Sequence, residues 1–426
     1  MRITDSDTRR PIRIYLMLFA AYALFIALYV IIVPSSIIPQ AYRGTAADPA
    51  TFLTAAQLQQ SETLAAARNA IFFLSYPWEW GLYVVLLFGG FARRWQERLE
   101  AAGWPSILRL PAFLLLLQVV TFLVFLPMKL ANYMLSRGYG LSTQTFPSWL
   151  RDKAVSFGVN YLMTMLVAVV AFWFIARGGR WWLKLWLLSL PFTLFMIYIQ
   201  PVVIDPLYNQ FTRLSDPLLE QRILNLAAKA DIPADRVYEV DMSQKTNELN
   251  AYVTGIGSSL RIVLWDTTLK SLKEDEILLI MAHEMGHYVM HHLEWSVVGG
   301  VVSSFFLLWF GSWAYKYALR RWGPQWGIGR LHDPAGLPVV LLLVSLVTFV
   351  SLPVSNAVSR QAEHAADMYA FQLIGNNEGA VSMYQKLAVF SLSDVNPPRL
   401  VKWFRSTHPS IMERIIDAQS YRPTGK

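Results

Sequence analysis

Long apolar runs and two polar blocks divide this chain. Spanning a hydrocarbon core as a helix takes roughly 20 apolar residues. Seven stretches qualify: approximately 14–33, 70–91, 111–128, 155–176, 181–203, 296–317 and 337–355. The first (IYLMLFAAYALFIALYVIIV) is too long for a signal-peptide core and lacks a small-residue cleavage site, so it is expected to stay as a span. The second holds Pro77 and Glu79 inside apolar sequence (SYPWEWGLYVV). A carboxylate at that depth must face protein or water, not lipid. The pattern predicts a mainly α-helical polytopic membrane protein in four parts: a membrane domain with spans one to five (1–203), a polar loop domain (204–295), spans six and seven (296–355) and a C-terminal segment (356–426).

The polar blocks carry ordinary soluble periodicity. Residues 217–231 (PLLEQRILNLAAKAD) place apolar side chains at helical spacing. Between 237 and 265 the pattern turns to strands: VYEVDM, NAYVTG and LRIVLW. The last two, joined by GIGSS, predict a β-hairpin. A helix is expected from Lys273 to Leu293, with Glu274, Asp275 and Glu276 at the positive end of its dipole.

Composition agrees with a membrane protein: 54% of the residues are hydrophobic and 15% charged, where soluble chains carry about 25% charged residues. There is no cysteine, which excludes disulfides and thiolate metal ligands. Any metal must use His, Asp or Glu. The net charge of +8 fits basic loops on one membrane face. No basic-aromatic patch points to nucleic acid, and none is expected as a partner. Arg2, Arg9, Arg10 and Arg13 precede the first span; Arg93, Arg94, Arg98, Arg109, Arg177, Arg180, Lys184, Arg320, Arg321 and Arg330 lie in loops on the same face. The opposite loops hold fewer. The positive-inside rule makes the N-terminus cytoplasmic, and the loop after the fifth span external.

One stretch, MAHEMGHYVMHH (281–292), contains four of the seven histidines. Side chains four apart share a helix face, so His283 and His287 project together. That spacing can hold one Zn²⁺ at about 2.0–2.1 Å per nitrogen. Glu284 is offset about 100° and sits beside such an ion, placed to take a proton from a polarised water. Chance would produce His-Glu-x-x-His in about one chain in a hundred of this length. His291 reads as a partly exposed helix-end residue and His292 as falling near the opposite face. Gly286 costs about 1 kcal/mol against Ala inside a helix, which suggests close approach of another backbone or a substrate. A catalytic zinc needs a third protein ligand and an open position. The dense polar segment NAVSRQAEHAADMYA (356–370) offers Glu363 as that ligand, Asp367 as a second acid on the same face, and Arg360 one turn earlier as a cation to hold it. Without the upstream motif the same segment would read as a salt-bridged amphipathic helix.

His-Glu-Met-Gly-His followed by Asn-x-x-Ser-Arg-x-x-Glu-x-x-Ala-Asp-x-Tyr-Ala resembles the type I CAAX prenyl proteases, which are integral-membrane zinc metalloproteases. IDPLYNQFTRL (204–214), NAYVTG, RIVLWDTTL and THPSIMERI are similar to that family as well. The resemblance implies seven helices around a water-filled chamber and a gluzincin-type protease domain carrying a small sheet. It implies one Zn²⁺ per chain on His283, His287 and Glu363, with Glu284 as general base. Asp367, Arg360 and Arg414 would surround the ligands, and His408 would stabilise the tetrahedral intermediate. Asn250, Ala251 and Tyr252 would present an edge to extended substrate, in agreement with strand addition. His292 matches the family's last histidine in this helix. The implied partners are the bilayer and a peptide or protein substrate, with or without a lipid group. Catalysis is implied on the cytosolic side, against the charge count. Tyr288 replaces the family's common Trp, and RPTGK carries no endoplasmic-reticulum retrieval signal, so a bacterial inner-membrane member is expected. Other readings stand beside this one. An HtpX-like quality-control protease shares the zinc logic on fewer spans. A transporter or channel would treat the histidines as incidental. A catalytically dead relative would serve as an inactive scaffold, against which intact Glu284 argues.

Overall fold

The computed structural model describes residues 5–255 and 260–422. Among the described residues, seven helices are long and apolar enough to cross a membrane. They are α1 (Asp5–Ile32), α2 (Ala55–Phe88), α4 (Ser106–Gly138), α5 (Phe146–Ala176), α6 (Trp181–Ile199), α10 (His292–Trp326) and α11 (Leu337–Ile374), with the short amphipathic α3 (Phe91–Ala101) after α2. All seven expected spans are present, and all but α6 run past the apolar stretch at one end or both. The boundary drawn at 355 falls inside α11, which continues unbroken for five more turns into the polar segment. The boundary at 295 likewise falls inside α10.

The polar unit holds a four-stranded sheet of order β1-β2-β4-β3. Its strands are β1 (Phe211–Arg213), β2 (Val237–Val240), β3 (Ala251–Thr254) and β4 (Arg261–Trp265). β2 and β4 run parallel; the other pairs are antiparallel. The expected hairpin is the β3–β4 pair, with Tyr252 opposite Val263; its Gly-Ser turn, at 256–259, lies outside the described residues. β1 was not expected, and three residues are too few for a period-2 signal. Helices α7 (Pro217–Lys229), α8 (Asp266–Ser271) and α9 (Glu274–Val289) pack with α12 (Ala380–Ser391), α13 (Arg399–Phe404) and α14 (Ile411–Ser420) around this sheet. One apolar core, centred on Ile223, Ile262, Leu264, Met281, Phe371 and Ile415, joins all of these but α13, whose Val401 packs with Ile26 and Phe73 of the membrane helices. A second core lies inside the membrane helices around Phe113, Leu117, Phe172 and Tyr315.

Between α2, α4, α5 and α11 lies an open-sided cavity of about 430 Å³. Glu79 sits beside it among protein partners. The Tyr83 hydroxyl donates to Oε1 at 2.9 Å and the Ser345 hydroxyl to Oε2 at 2.6 Å. This is how a carboxylate is kept at membrane depth: its lone pairs are taken by neighbouring helices.

Candidate active site

The site is built where α9 crosses α11. At α9's start Lys273 N–H donates to Glu276 Oε2, and three acids in the first turn suit the dipole. Glu276 is buried but held by Lys386 and Ser382, both at 2.6 Å. The crossing itself depends on Gly286. A Cβ there would lie 3.2 Å from Ala366 Cα and 3.1 Å from the Tyr369 ring. The close approach expected from the sequence is therefore the backbone of α11.

This contact brings three side chains together. His283 Nε2 is 3.1 Å from His287 Nε2 and 3.2 Å from Glu363 Oε2, and His287 Nε2 is 3.5 Å from Glu363 Oε1. Those spacings match the edges of a tetrahedron with bonds of about 2.0–2.1 Å, which are about 3.3 Å long. Glu363 Oε2 is buried and accepts no hydrogen bond. The donor set therefore fits one divalent ion. Electrostatics agree. Burial disfavours a charged His283, but the carboxylates of Asp367 and Glu363 outweigh it and raise its pKa above the usual imidazole range. The pocket thus favours positive charge between two carboxylates. Burial holds His287 neutral, with a pKa near 4, leaving a lone pair free.

The surroundings fix these ligands. Asp367, 1% exposed, lies 2.7 Å from His283 Nδ1. Arg414 grips it bidentately at 2.6 and 2.8 Å, and Tyr384 donates at 2.9 Å. Such partners set a ligand's tautomer and orientation. The role expected of Arg360 falls to Arg414. Arg360 instead donates to the carbonyls of Lys402 and Ser406, both at 2.8 Å, tying down the segment that carries His408. His408 Nε2 is 3.3 Å from Glu363 Oε2.

His292 is placed differently from expectation. The helix does not run to Leu293: α9 ends at Val289, and His291 adopts φ +55° between α9 and α10. That left-handed residue reverses the chain's course, so His292 returns to His287, with Nδ1 atoms 2.8 Å apart. His291 is exposed near Glu294, as expected.

Glu284 lies beside the cluster. Burial pushes its carboxyl up to about 7, with the charge of His283 pulling the other way and the Val253 backbone also bonding it. β3 is an edge strand, so its outer side is unpaired in the sheet. Asn250 faces β4, accepting from Trp265 N–H at 3.1 Å, and its side chain accepts from Ala251 N–H at 2.9 Å. By strand alternation Ala251 and Val253 present their backbone to the cleft, whereas Tyr252 pairs inward with Val263. Val253 and Tyr384 were missing from the sequence reading; alternation along NAYVTG would have offered Val253.

The family model described as "Peptidase family M48" matches residues 213–422. "CAAX prenyl protease N-terminal, five membrane helices" matches 40–210. A Bacillus subtilis protein named "Uncharacterized metalloprotease YhfN" is 46% identical over 402 residues, 94% of each chain. "CAAX prenyl protease 1 homolog" of Arabidopsis thaliana is 28% identical, covering 81% of this chain and 79% of its own. The yeast "CAAX prenyl protease 1" is 27% identical over 71% and 70%. The crystal structure of S. mikatae Ste24p has the same fold, with a TM-score of 0.79 over 98% of this chain and all of that one, at 20% identity. An intact His-Glu-x-x-His helix, a third carboxylate brought to it by the last span, and matches over nearly the whole length leave one conclusion: the chain belongs to peptidase family M48 and is a multi-pass membrane metalloprotease of the CAAX prenyl protease type.

Proposed function

We propose that the protein is a zinc endopeptidase that cleaves extended peptide segments laid along β3, and that the ion is held by His283, His287 and Glu363. The observation that carries this is the cluster itself: three donors at tetrahedral spacing, with Glu284 on one side and an open strand edge beyond it. A bound Zn²⁺ would act as a Lewis acid on the scissile carbonyl and on a water. The rest falls to the chain. The carbonyls of Ala251 and Val253, whose N–H groups are held by Asn250 and Glu284, accept from the substrate backbone as an added strand, with Asn250 and Tyr252 flanking it. Glu284, with a carboxyl near 7, takes a proton from the attacking water and returns it to the leaving amine. His408 donates to the developing oxyanion. Asp367 and Arg414 keep His283 in one tautomer, and Arg360 holds the His408 segment in place.

The substrate reading follows the CAAX-named relatives: a peptide ending in a lipidated cysteine motif, admitted from the bilayer. The residence we propose is a bacterial inner membrane. Seven spans put the N-terminus and the catalytic unit on opposite faces, and the basic loops favour an external catalytic face. The chain's lack of cysteine makes this testable: a single Ser420→Cys variant should label from outside in intact cells, and labelling only after lysis reverses the orientation.

Zinc content and cleavage, measured on protein purified in detergent, test the central claim. A fluorogenic peptide panel with and without a farnesylated C-terminus would be compared in wild type and Glu363→Ala. Stoichiometric zinc and cleavage, both lost in the variant, support the ligand set. Full zinc retention in Glu363→Ala removes Glu363 from it.

A further inference from the structure

The intramembrane cavity carries two cations that the peptidase site does not use. Lys129 on α4 and Lys153 on α5 both line it. Neither makes an ion pair among the described residues. The acid next in sequence, Asp152, is engaged by Lys245 at 2.7 Å and by Gln144 at 2.8 Å. The acid near the far end, Glu79, is bonded by Tyr83 and Ser345. The two ammonium groups rest only against rings, Lys129 at 4.6 Å from Phe122 and Lys153 at 5.5 Å from Trp149. Unpaired like charges at membrane depth are costly and mark function more often than structure.

Their position gives the cavity a polarity. The α4–α5 connection bonds to the catalytic unit, through Thr143 N–H to Lys245 O and Asn247 N–H to Leu141 O. Lys129 lies nine residues before the end of α4 and Lys153 seven after the start of α5. Both are thus about 10–14 Å below that junction. Along α4 the lining continues from Lys129 to Leu114, a run of about 22 Å. Toward the far end Leu114, Leu117 and Leu341 line it beside Tyr83, Gln118, Thr121 and Thr164; Ser156 and Asn160 lie between. The cavity is cationic toward the catalytic unit, and away from it leucines alternate with neutral polar side chains.

From this we infer that the cavity is a binding site for an anionic amphiphile, whose carboxylate or phosphate lies between Lys129 and Lys153 and whose apolar chain runs toward Leu114 and Leu117. The anion has two available sources, a bilayer phospholipid or the C-terminal carboxylate of a lipidated peptide. The chemistry is shared, and an experiment separates them.

Thermal unfolding of the detergent-purified protein is measured against dodecyl phosphate and against dodecanol, which has the same chain and no charge. Wild type should be stabilised saturably by dodecyl phosphate and not by dodecanol. Lys129→Met/Lys153→Met should weaken the apparent affinity about tenfold or more. Lys129→Arg/Lys153→Arg should keep it, which separates loss of charge from loss of fold. Equal stabilisation by both probes, or an unchanged affinity in the Met variant, overturns the inference. This readout needs no turnover, so it fails independently of the peptidase proposal. A second arm finds the source: a lipidated peptide is compared with its C-terminal amide. If amidation raises KM in wild type but not in the Met variant, the substrate brings the anion. If amidation changes nothing while dodecyl phosphate still discriminates the variants, the bilayer brings it.

Discussion

At the crossing of α9 and α11 two backbones come within touching distance; along the outer faces of α5 and α10 there is nothing to touch. An added Cβ on Gly286 would meet Ala366 and Tyr369 at 3.1–3.2 Å, whereas at Gly158, Gly299, Gly300 and Gly311 it would meet no atom within 4 Å. The polar side chains differ likewise. Around His283 the carboxylates are buried and held by Arg414 and Tyr384. On the spans, large apolar side chains such as Leu166, Trp173, Phe306 and Trp313 stand exposed toward lipid. The His283–His287–Glu363 cluster is specified by protein contacts alone. The bundle leaves much of its burial to the bilayer.

The largest effect should come from one atom pair at the rigid crossing. Glu284→Gln keeps the shape but removes the proton acceptor. Turnover should fall about 10³-fold or more while zinc stays stoichiometric; a fully active variant would remove Glu284 from its role. Next comes the support beneath the ligands. Arg414→Ala leaves Asp367 buried without its guanidinium, with only Tyr384 and His283 as partners; breaking a buried ion pair costs about 3–5 kcal/mol in other proteins. We expect zinc affinity to drop about 10–100-fold, read by competition with a chelator. An unchanged affinity would mean that Asp367 and Tyr384 orient His283 unaided.

Much of this was legible because helical spacing is local. His283, Glu284 and His287 needed only the 3.6-residue period, and Glu363 with Asp367 the same period on a second helix. The span centres were legible from hydropathy, but their ends were not: α11 passes from lipid into the catalytic unit without a break, so hydropathy stops where the helix continues. His292 was misplaced because a single left-handed residue, His291, redirects the chain; His is enriched among non-glycine residues at positive φ, but such residues are only a few per cent, too few to mark one position. Arg360 and Arg414 were told apart only by tertiary packing. Both are arginines on helices near an acid, yet one bonds carbonyls and the other a buried carboxylate.

The glycines sharpen the contrast at moderate cost. Gly286→Ala should destabilise the protein by about 1–3 kcal/mol through overpacking and should weaken zinc binding as the helices part. Gly299→Ala in α10 meets open space and gains helix propensity, so it should be neutral or stabilising by up to about 1 kcal/mol. Thermal unfolding in one detergent reads both. Equal destabilisation would mean that the outer face of α10 is packed after all, by lipid or by another chain.

The smallest effect expected is a pH slope, and it belongs to neither region but to the loop that joins α12 to α13. Asp394 accepts from the Ser36 hydroxyl at 2.8 Å, and its other oxygen is buried without a partner. Burial pushes its carboxyl up to about 7, against the hydrogen bond from Ser36 and the charge of Arg405. An acid whose pKa is raised on folding keeps its proton in the native state after the unfolded chain has lost it. Stability should therefore fall as pH rises from about 4 to about 7 and level off above, with a slope of at most about 1.4 kcal/mol per pH unit. Asp394→Asn keeps an acceptor for Ser36 and has no proton to lose, so its unfolding temperature should fall less than the wild type's between pH 5 and pH 8. Parallel curves for the two proteins would mean that water reaches Asp394, and that the junction between α1, α2 and the C-terminal segment is looser than the metal site it adjoins.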